Sequence, residues 1–248
     1  MTTIILFSMI IIAFASIVQG MTSFGFSLLA VPLLSLFLPL QVIVPLIVVY
    51  SLFLNGMILL QLKGKADKKF LGTVLLAGAV TTPLGAQLLK NMNPDLLKLS
   101  VGVTIALAAI LMMFGIKAKV KNRRLSLLLA GAFSGLLNGS ISMSGPPIIL
   151  FLRNDDQDKD QFRKNLTSLF FLLNILTTGV FILTGQLNAS VMTTGLQLFP
   201  ALLLGTWLGV RLGNNSNEAL FKKLTLALIL IMGILSIVSA NPMQFLAN

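Results

Sequence analysis

The chain has 248 residues, 56% of them hydrophobic and only 10% charged, with a mean hydropathy of +0.96, a balance that excludes a water-soluble domain and indicates one polytopic membrane domain. The net charge of +11 does not indicate nucleic acid, because the 18 basic residues stand in short loops between apolar spans, where they orient the protein in the bilayer. The absence of Cys and His and the confinement of all seven carboxylates to loops leave no thiolate, imidazole or buried acid for catalysis, so neither an enzyme nor a cofactor nor a metal is implied.

In chain order, residues 4–19 are apolar, Gly20-Met-Thr-Ser-Phe-Gly25 interrupts, and residues 26–38 resume with Pro32 inside them. Ala13-Phe-Ala15 imitates a signal-peptide cleavage site, but Met1-Thr-Thr supplies no basic n-region. Apolar spans follow at 42–62, 70–89 and 96–116. A second interruption, Asn138-Gly-Ser-Ile-Ser-Met-Ser-Gly-Pro-Pro147, separates residues 126–137 from 146–152. As helices these two pieces measure about 18 Å and about 10 Å against a hydrocarbon core of about 30 Å, so neither is expected to cross alone. Further spans follow at 162–184, 192–212 and 219–240.

The order repeats as a broken segment followed by three spans. Residues 84–98 align with 208–222 at seven of fifteen positions, and Ser51-Leu-Phe-Leu-Asn55 aligns with Phe170-Phe-Leu-Leu-Asn174. If each broken segment were a single crossing, the loop Lys and Arg would divide nine to nine between the two sides; if each returns as a hairpin, they divide sixteen to two. The bias of basic loops to the cytoplasm selects the hairpins. The expected fold is therefore an all-α polytopic membrane protein of two inverted repeats, residues 1–116 and 117–248, each a broken or re-entrant helical hairpin followed by three transmembrane helices, the arms of the first hairpin being long enough to be either re-entrant or nearly membrane-crossing. Both termini are expected outside, and each hairpin tip near the bilayer midplane.

Irregular backbone at membrane depth is tolerated where protein or a watery cavity satisfies it. The arm after each tip starts a half-helix whose first amides and dipole favour an anion. Ser144-Gly-Pro146-Pro147 fits such a start, with a Ser N-cap and prolines in the first turn. The expected binding residues are Gly20, Thr22, Ser23 and Gly25 at the first tip and Asn138, Gly139, Ser142, Ser144, Gly145 and Pro146 at the second. Asn55 and Asn174 stay open between interhelical hydrogen bonds and substrate contact. Two small-residue series, through Gly131, Gly135 and Gly139 and through Gly205, Gly209 and Gly213, suit close helix packing. Arg163 and Arg211 read as interfacial anchors.

Taken together, Gly20 to Pro32, then Gly-x-x-Asn-Gly-x-x-x-x-Ser-Gly-Pro-Pro ending at Pro147, then Phe162-Arg-Lys-Asn-Leu and Asn174, resemble the sulfite exporter TauE/SafE family over nearly the whole chain. At the first break Met21, Thr22, Ser23 and Phe24 stand where many members carry a denser glycine cluster. The resemblance implies a permease of a prokaryotic cytoplasmic membrane that exports sulfite or a small organosulfonate such as sulfoacetate by alternating access. Its partners would be that anion and the lipid bilayer, with a homodimer among the compatible assemblies. An uptake carrier for a related anion, and a non-transporting membrane scaffold subunit, are the alternative readings.

Overall fold

The computed structural model describes residues 2–113, 122–152 and 159–213. The last expected span, 219–240, and the basic residues of 117–121 lie outside the described residues. Those described form helices α1 (Thr2–Thr22), α2 (Phe26–Leu34), α3 (Leu40–Leu59), α4 (Lys68–Asn91), α5 (Pro94–Met113), α6 (Arg123–Ile141), α7 (Gly145–Leu152), α8 (Lys159–Leu183) and α9 (Ala189–Gly213). Six of them, α1, α3, α4, α6, α8 and α9, are long and apolar enough to cross a membrane. Their outward faces carry large apolar side chains such as Leu76, Val80, Leu183 and Leu196, all more than two-thirds exposed and suited to lipid.

The broken segments differ from the sequence expectation in extent. The helix before the second break runs on to Ile141 and starts at Arg123, nineteen residues in all. It measures about 28 Å and so approaches the thickness of the hydrocarbon core. Non-helical backbone is confined to Ser23–Gly25 and Ser142–Ser144. Gly20 and Gly139 remain helical because another helix, not a turn, requires their missing side chains.

Glycine sets the two closest helix pairings, α4 on α6 and α1 on α9. A Cβ on Gly135 would lie 2.4 Å from Gly78 O, and one on Gly139 2.4 Å from Thr82 O. On the other seam a Cβ on Gly205 would lie 2.4 Å from Ala13 O, on Gly209 2.3 Å from Ile17 O, and on Gly20 2.8 Å from Val210 N. These distances are far inside van der Waals contact, so the backbones touch through glycine alone. Such close approach is how helices bind one another where lipid removes the hydrophobic drive between them. The Thr81 hydroxyl donates across the α4–α6 seam to Ala132 O at 2.7 Å.

Loops fix the ends. The Asp67 carboxylate caps α4 by accepting from Lys69 N and Phe70 N, and the Asn122 amide oxygen caps α6 by accepting from Leu125 N. Lys164 Nζ donates to Leu62 O at 2.8 Å, Asp67 N to Asn165 Oδ1 at 2.8 Å, and Gln161 Nε2 to Lys65 O at 3.2 Å. The start of α8 is thereby tied to the α3–α4 loop. At the far end of α8, Gln186 Nε2 donates to Ala86 O at 3.1 Å. Arg211, in the last turn of α9, lies 5.3 Å from the ring centre of Trp207, a pairing typical of a membrane interface.

Gly209→Leu drives a side chain into the α1 backbone and should lower stability by about 3 kcal/mol or more. Gly72→Ala, in α4 with nothing within 4 Å of its Cβ position, should leave the midpoint unchanged or raise it. Thermal unfolding in detergent checks both; equal behaviour of the two variants would mean that the glycine seams do not hold the bundle.

Candidate functional site

Each break begins with a serine in a left-handed conformation. Ser23 has φ 68° and Ser142 φ 59°, the only non-glycine positive values among the described residues. Such backbone is unfavourable for a residue with a Cβ and persists where its surroundings over-determine it. The Ser23 N–H donates to Gln19 O at 2.7 Å, and the Ser142 N–H to Asn138 O at 3.0 Å. The Thr22 hydroxyl sits between Val18 O and Phe24 O at 2.8 and 2.6 Å. Gly25, at φ 105°, then opens α2. On the other side the Ser134 hydroxyl of α6 donates to Ser144 O at 2.7 Å, which folds the chain back beside α6 before α7 begins.

The two breaks meet. Ser27 Oγ in α2 lies 3.4 Å from Ser142 Oγ, longer than an ordinary hydroxyl hydrogen bond, and both line a cavity enclosing about 390 Å³ of empty space, mouth included. Its polar wall combines Gln19, Ser51 and Asn55 with Asn138, Ser144 and Asn174; Phe24, Leu28, Met143, Ile149 and Phe170 make the apolar wall.

Two amide pairs organise the polar wall. Gln19 Nε2 donates to Asn55 Oδ1 at 2.9 Å, while Gln19 Oε1 accepts from Phe26 N at 3.1 Å. Asn138 Nδ2 donates to Asn174 Oδ1 at 3.0 Å and to Thr177 Oγ1 at 2.8 Å, and the Thr177 hydroxyl donates to Leu173 O at 2.8 Å. Asn55 is 99% buried and its Nδ2 has no partner. A buried, unpaired donor carries a desolvation penalty of about 1–3 kcal/mol, so this atom calls for an acceptor brought into the cavity. Among the described residues, the groups lining the cavity are amides, hydroxyls and apolar side chains, with no ionisable side chain. Such a wall can hold the oxygens of a small anion by hydrogen bonds and offers no side-chain acid or base for proton transfer.

Of the residues expected from sequence, Gly25, Asn138, Ser142, Ser144 and Gly145 line the cavity, as do Asn55 and Asn174. Gly20 and Gly139 stand on the helix seams. Pro146 follows Gly145 in the first turn of α7 and does not line the cavity. With Pro147 it removes two amide donors, so that turn offers only the N–H groups of Gly145 and Ile148 toward the break. Thr22 and Ser23 brace the first break behind the cavity wall. Ser23, fully buried, accepts from Arg163 Nε at 2.9 Å, so Arg163, expected as an interfacial anchor, reaches from α8 to the first break.

Gln19, Ser27 and Ser51 escaped the sequence reading. For Gln19 a signal existed: it stands 119 residues before Asn138, the same interval that separates Asn55 from Asn174 and Ser23 from Ser142. Ser27 and Ser51 carry no comparable mark, because isolated serines are common inside apolar helices.

Arg163→Ala strips a charged donor from a buried hydroxyl and should lower the unfolding midpoint by the equivalent of about 1–3 kcal/mol. The measurement is thermal unfolding in detergent, and an unshifted midpoint would mean that Ser23 is equally well paired without the guanidinium.

The family model described as Sulfite exporter TauE/SafE matches residues 8–236. The chain belongs to this family, and it is a multi-pass membrane transporter and not an enzyme. No curated protein and no solved structure matches it.

Proposed function

We propose that this member of the sulfite exporter family carries sulfite or a small organosulfonate anion outward, binding it in the cavity between the two breaks and alternating access as one repeat rocks against the other. The observation that carries the reading is the unpaired Nδ2 of Asn55 in a cavity walled by amides and hydroxyls. Asn174, whose Oδ1 is likewise engaged, Ser142, Ser144 and the amide of Gly145 complete the donor set. Without a fixed cation in the lining, the anion is held by dipoles alone, which keeps it from binding too tightly to leave. The membrane potential supplies the drive, about 2.3 kcal/mol per charge per 100 mV, negative inside.

The inverted-repeat architecture, residues 1–116 against 117–248, forms part of the proposal. Matching contacts support it. Gly20 packs against Gly209 and Val210, and Gly139 against Gly85 and Ala86; Gln19 pairs with Asn55, and Asn138 with Asn174. The hairpin topology draws support from the bonds that tie residues 161–165 to the loop of residues 62–67. If α4 crosses once and the span expected over residues 96–116 crosses back, α6 and α7 must return to the side from which α6 started for those two loops to meet. That side is then the basic, cytoplasmic one, with the N-terminus outside.

Purified protein in proteoliposomes should show saturable sulfite flux that responds to an imposed potential and is competed by sulfoacetate more strongly than by chloride. Ser144→Leu, which fills the cavity from its polar wall, should reduce that flux at least tenfold in protein that still unfolds cooperatively. Absence of saturable wild-type flux in folded protein would remove sulfite as the substrate, and full flux in the Ser144→Leu variant would move the site elsewhere.

A further inference from the structure

An amide side chain presents either its oxygen or its nitrogen, and its surroundings decide which. In both halves of the site a group with fixed polarity makes that decision. The Phe26 amide is only a donor, so Gln19 must turn Oε1 toward it, at 3.1 Å. The Gln19 nitrogen therefore faces Asn55, at 2.9 Å, and Asn55 must answer with Oδ1. What remains at the cavity is the Asn55 NH2 group, the unpaired Nδ2. The second chain begins from a group of the opposite kind. The Leu173 carbonyl is only an acceptor, so the Thr177 hydroxyl proton is committed to it, at 2.8 Å. Thr177 Oγ1 then accepts from Asn138 Nδ2 at 2.8 Å, and the other proton of that nitrogen goes to Asn174 Oδ1 at 3.0 Å. Asn174 too is left with its NH2 group.

We infer that Gln19 and Thr177 are positioning residues that fix the hydrogen-bond polarity of Asn55 and Asn174, so that each of these two amides offers its NH2 group, and not its oxygen, to an oxyanion in the cavity. Gln19 acts through Asn55, and Thr177 through Asn138 on Asn174. Two anchors of opposite type, an N–H and a C=O, arrive at the same polarity because Gln19 meets its anchor and Asn55 with opposite ends of its amide, whereas Asn138 meets Thr177 and Asn174 with one and the same nitrogen. The inference rests on the anion-carrier reading above and deepens it by assigning the polarity of these two amides to residues away from the anion.

The test is a double-mutant cycle on sulfite affinity, read as protection of the purified protein from thermal unfolding by sulfite. Asn55→Ala removes the donor and should weaken sulfite binding about tenfold. Gln19→Met frees Asn55 to turn its oxygen inward and should weaken binding by about fivefold in the wild-type background, but by less than about twofold once Asn55→Ala is present. Its effect on the unfolding midpoint without sulfite, which reports the Phe26 N–H left unpaired, should persist in both backgrounds. Equal affinity losses in both backgrounds would overturn the relay, because Gln19 would then serve the break alone. Should the single variants fail to fold, Gln19→Leu with Asn55→Leu replaces both partners by apolar groups of similar shape, a change that is often nearly neutral for folding. Sulfite binding by that pair within threefold of wild type would overturn the assignment equally. A wild type with no sulfite protection and no flux of any oxyanion would instead sink the transport reading itself, an outcome distinct from additive cycles in a protein that binds sulfite.

Discussion

Opening a helix inside a bilayer exposes amides and carbonyls to a medium that offers them nothing, and the rest of this structure depends on how the openings at Ser23 and Ser142 are satisfied. Each is kept to three residues. Each is closed by a left-handed serine whose N–H returns to the helix it has just left, and each is braced by a side chain from a neighbouring segment, Arg163 on Ser23 and Ser134 on Ser144. The polar groups that remain point toward one another, and the cavity is what lies between them. Bracing from outside and convergence inside are two sides of one requirement.

The glycine seams follow from the same requirement. A break held by hydrogen bonds of 2.7 to 3.0 Å tolerates little sliding of the helices that carry it. Contact of α1 with α9 and of α6 with α4 at backbone distance, through Gly20, Gly209, Gly139 and Gly85, fixes helix positions more firmly than interleaved flexible side chains would. Gly20 and Gly139 each lie three residues before a left-handed serine. The packing seam therefore ends where the break begins, and a shift of α9 against α1, or of α4 against α6, is felt directly at the cavity wall.

Hydrophobic length was enough to read the membrane class and the helix order, because it is an additive property of a sequence, and the family was legible in the motifs around the two breaks. The breaks were legible in place but not in extent. Gly, Ser and Asn fill six of the eight positions from 138 to 145, and nothing local says that Asn138 stays helical while Asn174 and Thr177 take its amide protons. Gly20 and Gly139 were expected at the binding tips, Gly139 also in a packing series, since sequence does not distinguish a glycine needed for a turn from one needed for contact with another helix. Asn55 and Asn174 stood open between packing and ligand contact, and the oxygen of each makes an interhelical bond, while the Asn55 nitrogen is left over. Gln19 was missed because a single amide at the end of an apolar helix has no local pattern; only the 119-residue interval distinguishes it.

The two halves are alike in frame and unlike in charge. Counting the same 119 residues back from Arg163 arrives at Val44, so only one break has a guanidinium bonded to it from this position. That arginine lies near the start of α8, beside the α3–α4 loop that Lys164 and Asn165 tie down. The first break is therefore clamped to the end of the bundle that carries the basic loops, and the second is held only by neutral groups of its own segment and of α8. The same frame of breaks is thus braced by a charged bond at Ser23 and by a neutral one at Ser144.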